Sequence, residues 1–124
     1  MPYVRASEGP KSRAERAARF RLRHPDVPVV ESLDQRILDA LDDGGTLNMG
    51  DWHTCDTTHC RAGWAIHLAG AAGYDLERKL GGADRAGRAI YLASTGRSPW
   101  FYASNEWALE DIKRCAAEEA AQPR

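Results

Sequence analysis

Between residues 57 and 73 small residues are unusually dense. Ala62, Gly63, Ala65, Ala69, Gly70, Ala71 and Ala72 crowd into a stretch that otherwise reads as one helix, from about Thr57 to Ala72. Asp56 or Thr57 can accept from its free first-turn amides. Each interior glycine costs a helix about 1 kcal/mol relative to alanine. Such a sequence makes sense where another backbone must come close, so the spacing predicts a central helix, Cys60–Ala72, packed tightly on at least one neighbour. The same small residues can serve an intermolecular contact, which leaves a homo-oligomer open.

The rest of the chain supplies helices to surround it. Lys11 to Arg23 reads as a basic helix with a thin apolar face of Ala14, Ala17, Ala18 and either Phe20 or Leu22, ended by His24-Pro25. Residues 26–31 read as an extended linker. Ser32 and Gln35 form the S-x-x-Q capping box of a second helix, with Leu33, Ile37, Leu38 and Leu41 on one face and Gly44-Gly45 as its stop. Residues 46–52 alternate loosely but are too short to assign as a strand. Asp75 to Leu80 reads as a short helical turn, Asp84 to Ser94 as a helix, and the last helix starts at Ser104 or Asn105 with Leu109, Ile112 and Ala116 in its core stripe. The expected fold is all-α: one small domain of about five helices around the Ala/Gly-rich helix. Residues 1–25 form a basic arm and residues 26–124 the helical domain.

The net charge of −1 conceals a division between these two parts. Residues 1–25 hold seven Lys and Arg against two Glu; the remainder holds ten against sixteen acidic residues. A segregated basic segment can be an interaction arm or can lie on the acidic body of its own chain. Arg13, Arg16, Arg19, Arg21 and Arg23 are the candidate phosphate contacts if the partner is a nucleic acid, and such binding would be strongly salt-dependent. No apolar run approaches the roughly 18 residues of a membrane span, and no apolar h-region marks a secretory signal. A cytoplasmic protein with reduced thiols is expected, consistent with an odd count of three cysteines.

Chemistry-bearing residues concentrate in Trp52-His53-Thr54-Cys55-Asp56-Thr57-Thr58-His59-Cys60-Arg61-Ala62-Gly63-Trp64. His53, Cys55, His59 and Cys60 are four zinc-type ligands within eight residues, and zinc is the cofactor such a set would hold. Zinc sites usually use two pairs across a longer loop, and this spacing is compressed. Cys60, at the start of a helix, could instead be a reactive thiolate with a nearby histidine as base. His67 is two turns away, however, and no third orienting group is evident. The remaining reading is structural: Cys60 packs as a small hydrophobe, Trp52 and Trp64 are core aromatics, and His53 and His59 bond to the backbone. The spacing favours it. A second aromatic group, Trp100, Phe101 and Tyr102 with Trp107, either anchors a partner or covers the open end of a helical core.

Cys55 to Trp64 resembles a small family of uncharacterised bacterial and phage-borne proteins that share Cys-x-Thr-x-His-Cys-x-Ala-Gly-Trp after a Leu-x-Met segment, here Leu47-Asn48-Met49. Phe101 to Glu106 and Asp111 to Lys113 extend the resemblance, which spans roughly residues 32–120. It implies a link to mobile elements, where small proteins act by binding a host machine. The expectation is a non-enzymatic protein that binds a protein or nucleic acid without a membrane, with a zinc or reactive-cysteine site as the alternative.

Overall fold

The structure, a computed structural model, describes residues 10–121. Among these, six helices surround one core: α1 (Pro10–Arg23), α2 (Leu33–Asp42), α3 (Arg61–Leu68), α4 (Ala71–Leu80), α5 (Ala83–Thr95) and α6 (Asn105–Ala121). No helix among the described residues is long and apolar enough to cross a membrane. Three very short strands stand between α2 and α3: β1 (Thr46–Leu47), β2 (His53–Cys55) and β3 (Thr58–His59). β3 lies in the middle, parallel to β1 and antiparallel to β2.

The small-residue helix is central, as expected, but shorter at both ends. Every residue of α3 from Arg61 to Ile66 is buried. At its start, residues 57–59 belong to a turn and β3. At its end, Gly70 has φ of +69°, which a helix cannot contain, and the chain restarts as α4. Residues 69–73 are all alanine or glycine, so the turn itself carries no side chain beyond a methyl. The expected turn at residues 75–80 is the second half of α4.

Close packing follows from the missing side chains. α5 lies on α3 where Gly87 faces Ala62; a Cβ at Gly87 would stand 2.6 Å from the Ala62 Cβ. α2 packs along α6, and α1 and α4 pack on α5. Leu33, Ile37, Trp64, Ile66, Ile90, Tyr91 and Ile112 fill the space between.

The capping box expected at Ser32 does not form. Ser32 adopts a left-handed φ of +51° and makes no side-chain cap. The free amides of α2 are taken instead from across the molecule: the Glu119 carboxylate on α6 accepts from Asp34 N at 3.0 Å and Gln35 N at 3.3 Å.

The basic helix is docked by its own arginines. Arg21 Nη1 donates to the Ala93 carbonyl at 2.9 Å, Arg16 Nη1 reaches the Gly96 carbonyl at 3.5 Å, and Arg13 pairs with Glu118. The two carbonyls lie at the C-terminal end of α5, where the helix dipole favours positive charge. Ala17 is buried in the α1–α5 contact.

Candidate functional site

The motif from Trp52 to Trp64 folds as a clasp that fastens the small sheet to α3. Cys60 caps α3: its Sγ accepts from Gly63 N at 3.3 Å, and its own N–H donates to the Asp51 and Trp52 carbonyls at 3.1 and 3.3 Å. Gly63 lets the Trp52 carbonyl lie directly on the helix; a Cβ there would fall far inside van der Waals contact with that oxygen and 3.0 Å from His59 Cβ. Trp64 Nε1 donates to the Thr46 carbonyl at 3.0 Å, tying β1 to the same turn.

His53 and His59 do meet, with Nδ1 to Nδ1 2.7 Å. His59 Nε2 lies 3.0 Å from the Asp56 carbonyl, which can only accept, so His59 Nδ1 accepts from His53. His53 Nε2 faces both Glu77 oxygens at 3.1 Å. The His59 ring stacks on His67, whose Nδ1 bonds to Tyr74 Oη at 2.9 Å. Burial lowers the pKa of His59.

The zinc expectation is therefore corrected. Among the described residues no three His, Cys, Asp or Glu side chains converge as a metal requires. His53 and His59 turn their nitrogens on each other, on Glu77 and on a carbonyl. Cys55 is exposed and bonded to Thr57 at 3.5 Å, while the Cys60 sulfur caps a helix. The reactive-cysteine version fares no better. Burial pushes the Cys60 thiol up, outweighing the Gly63 amide that works to lower it, and only 1% of the residue is exposed. Hydrogen bonds from Thr57 lower the Cys55 pKa, but that thiol lies open to solvent and bonds to the Thr57 hydroxyl rather than to a histidine.

Arg61, the motif residue without a proposed role in the sequence, organises the interior. Its side chain is 0% exposed. Nη2 donates to Asp34 at 3.0 Å, Nη1 to Asp111 at 2.5 Å and Nε to Tyr91 Oη at 2.9 Å. Tyr91 in turn donates to Asp34 at 2.6 Å. Arg97 and Arg114 also pair with Asp111. Burial opposes the charge on Arg61, but Tyr91, Asp34 and Asp111 more than offset it and raise its pKa. Burial likewise works to raise Asp111, yet the three guanidiniums hold it at about 2. A signal for this network was present: one arginine inside Cys60-Arg61-Ala62-Gly63-Trp64-Ala65-Ile66 must be buried if the helix is central, and then must be paired.

A cavity of about 470 Å³ opens above this network between α1, α2, α5 and α6, with Tyr91, Arg97, Cys115 and Glu119 in its walls. Cys115 is half-buried and accepts from Arg97 Nη1 at 2.7 Å; it is a member of the polar network rather than of the apolar core. Burial, with Asp34 alongside, pushes the Glu119 carboxyl up to about 7 despite the two amides it caps. Protonation of Glu119 therefore favours the folded state. Its contribution is complete below about pH 4.5 and is lost as pH rises through 7. Wild-type protein is expected to lose about 1–2 kcal/mol between pH 5 and pH 8 from this group, a figure reduced for its partial exposure. Urea denaturation of Glu119→Gln should show that slope flattened and the variant more stable than wild type at pH 8; an unchanged slope would refute the assignment.

The aromatic loop alternates inward and outward. Pro99, Phe101 and Ala103 are buried, while Trp100 is 59% and Tyr102 68% exposed. Phe101 is the anchor, packed near Tyr91 with ring centroids 6.0 Å apart. Ser104 Oγ accepts from Trp107 N at 3.1 Å, and Asn105 Oδ1 accepts from Met49 N at 2.7 Å, so the start of α6 is fixed to the loop before β2. Trp107 is 43% exposed and meets Trp100 edge to face at 5.7 Å; Tyr102 meets Trp52 in the same way at 5.8 Å. Of the arginines expected to bind phosphate, Arg13, Arg16 and Arg21 reach back to the protein as described, and Arg19 and Arg23 are exposed.

Comparison of the chain with protein-family models, with curated proteins and with solved structures finds no match.

Proposed function

We propose that this is a non-enzymatic binding protein that engages a protein partner through the surface formed by Trp100, Tyr102 and Trp107. The observation that carries this reading is the exposure of three large aromatics on a segment anchored by the buried Pro99, Phe101 and Ala103. Aromatics of this kind are enriched at binding hot spots, and side chains fixed before binding lose little entropy on contact. A nucleic-acid partner is less well supported. Three of the five candidate arginines serve the fold, and the aromatic surface is flanked by Glu106 and Glu110, which repel phosphate.

The test is a photo-reactive amino acid placed at position 102 or, separately, at position 19 on the exposed side of α1. Position 102 is expected to give a protein crosslink that Trp100→Ala abolishes. Crosslinking from position 19 alone, or to nucleic acid, would contradict the reading.

A further inference from the structure

Resting on that reading, we propose that the corner between Trp100 and Trp107 receives the cationic side chain of a basic peptide segment, a lysine or arginine of the partner. The two indoles stand at 79° to each other with centroids 5.7 Å apart, and both are exposed. An edge-to-face pair leaves a cation the open face of the upright indole beside the uncovered part of the other, and indole is the strongest of the side-chain rings in this interaction. The surroundings carry the matching charge. Glu106 precedes Trp107, and Glu110 follows it by three residues on the same helix, which places the two side chains side by side. Glu110 is 78% exposed; Lys113 approaches it only at 4.0 Å, leaving its carboxylate open to a second cation. A cation–π contact among the described residues, Arg61 over Tyr91 at 5.2 Å, belongs to the buried network and leaves this surface alone.

The segment is recognised by charge and apolar contact together. A cation fills the Trp100–Trp107 corner within reach of Glu110, and a neighbouring apolar residue rests on Tyr102, whose ring is backed by Trp52. An acidic segment meets two glutamates, and a plain apolar one leaves them unmatched.

The experiment titrates the full chain with three synthetic twelve-residue peptides of alternating Leu and Lys, Leu and Glu, or Leu and Ser, following tryptophan fluorescence and calorimetric heat. The lysine peptide is expected to bind at least tenfold tighter than the glutamate peptide. Trp107→Ala should abolish that binding. Glu106→Gln with Glu110→Gln should weaken it about five- to tenfold, and circular dichroism should show all variants folded. Equal binding of all three peptides, or preference for the glutamate or serine peptide, would overturn the cation inference while leaving a protein-binding surface in place. Binding of the lysine peptide that survives Trp107→Ala would also overturn it. Loss of the position-102 crosslink is the separate failure that removes the underlying reading. Self-association abolished by Trp100→Ala would assign the surface to a second copy of the chain and overturn the basic-peptide proposal.

Discussion

Replacing Arg61 by methionine is expected to destabilise the domain by about 3–5 kcal/mol, because it strips the shared cation from Asp34 and Asp111, which stay buried. Native stability is itself only about 5–15 kcal/mol, so the loss is a large fraction of it, with a melting temperature lower by roughly 10–20 °C. Lysine will not rescue it. One ammonium cannot reproduce a planar fork that reaches Asp34, Asp111 and Tyr91 at once. The control shares the same carboxylate. Arg114 also pairs with Asp111, but its side chain is 61% exposed, and Arg114→Ala should cost no more than about 1 kcal/mol. Urea denaturation of both variants makes the comparison. Equal losses, or a stable Arg61→Met, would mean that the buried network contributes no net stability.

Gly63→Ala is expected to cost about 2–3 kcal/mol. In an open helix the same change would help by about 1 kcal/mol. Here the new methyl meets the carbonyl oxygen of Trp52, and backbone cannot step aside as a flexible side chain would. Overpacking of that kind typically costs about 1–3 kcal/mol, occasionally more. Relief requires the turn before β2 to lift off α3, which also breaks the Cys60 N–H bonds to Asp51 and Trp52. The loss should therefore appear as reduced hydrogen-exchange protection at Cys60 as well as a lower denaturation midpoint. A variant as stable as wild type, with Cys60 still protected, would show that the close approach is unnecessary.

These two substitutions fall in one motif and explain why it was only half legible in the sequence. Its concentration of Cys, His and Trp marked it as important, and the small residues after it identified the central helix. The local pattern could not reveal that Trp64 serves a backbone group of β1 while Cys60 and Gly63 serve the turn before β2, because those partners depend on how the preceding segment returns to α3. Histidines spaced like ligands face each other and Glu77, a relation set by α4 rather than by spacing. Ser32 with Gln35 had the letters of a capping box, yet α6 brings a carboxylate to those amides and Ser32 takes a left-handed backbone. The central helix was read as one piece because alanine favours helix throughout, and Gly70 alone decides the break. Of the helices carried by ordinary apolar periodicity, α5 came out within a residue of its expected boundaries and α6 begins where expected.

The basic arm teaches a related lesson. Five arginines on one helix suggest phosphate, but counting charges does not show which way they point. Arg16 and Arg21 reach the carbonyl end of α5, and Arg13 reaches Glu118. Arg19 and Arg23 stay exposed; the surface we propose for a partner is instead the aromatic loop, where burial alternates residue by residue and presents Trp100 and Tyr102 above an anchored Phe101.

Nitrogen-15 spectra of the indole N–H groups test this most directly. The chain has four tryptophans, of which Trp100 and Trp107 form the exposed corner and Trp64 is buried with its N–H bonded to Thr46. Adding the Leu-Lys peptide should shift the Trp100 and Trp107 signals and leave that of Trp64 in place, whereas an equal concentration of duplex DNA should move none of them. Shifts confined to the backbone amides of α1 on adding DNA, with both exposed indoles unmoved by peptide, would contradict the account and return the function to the basic helix.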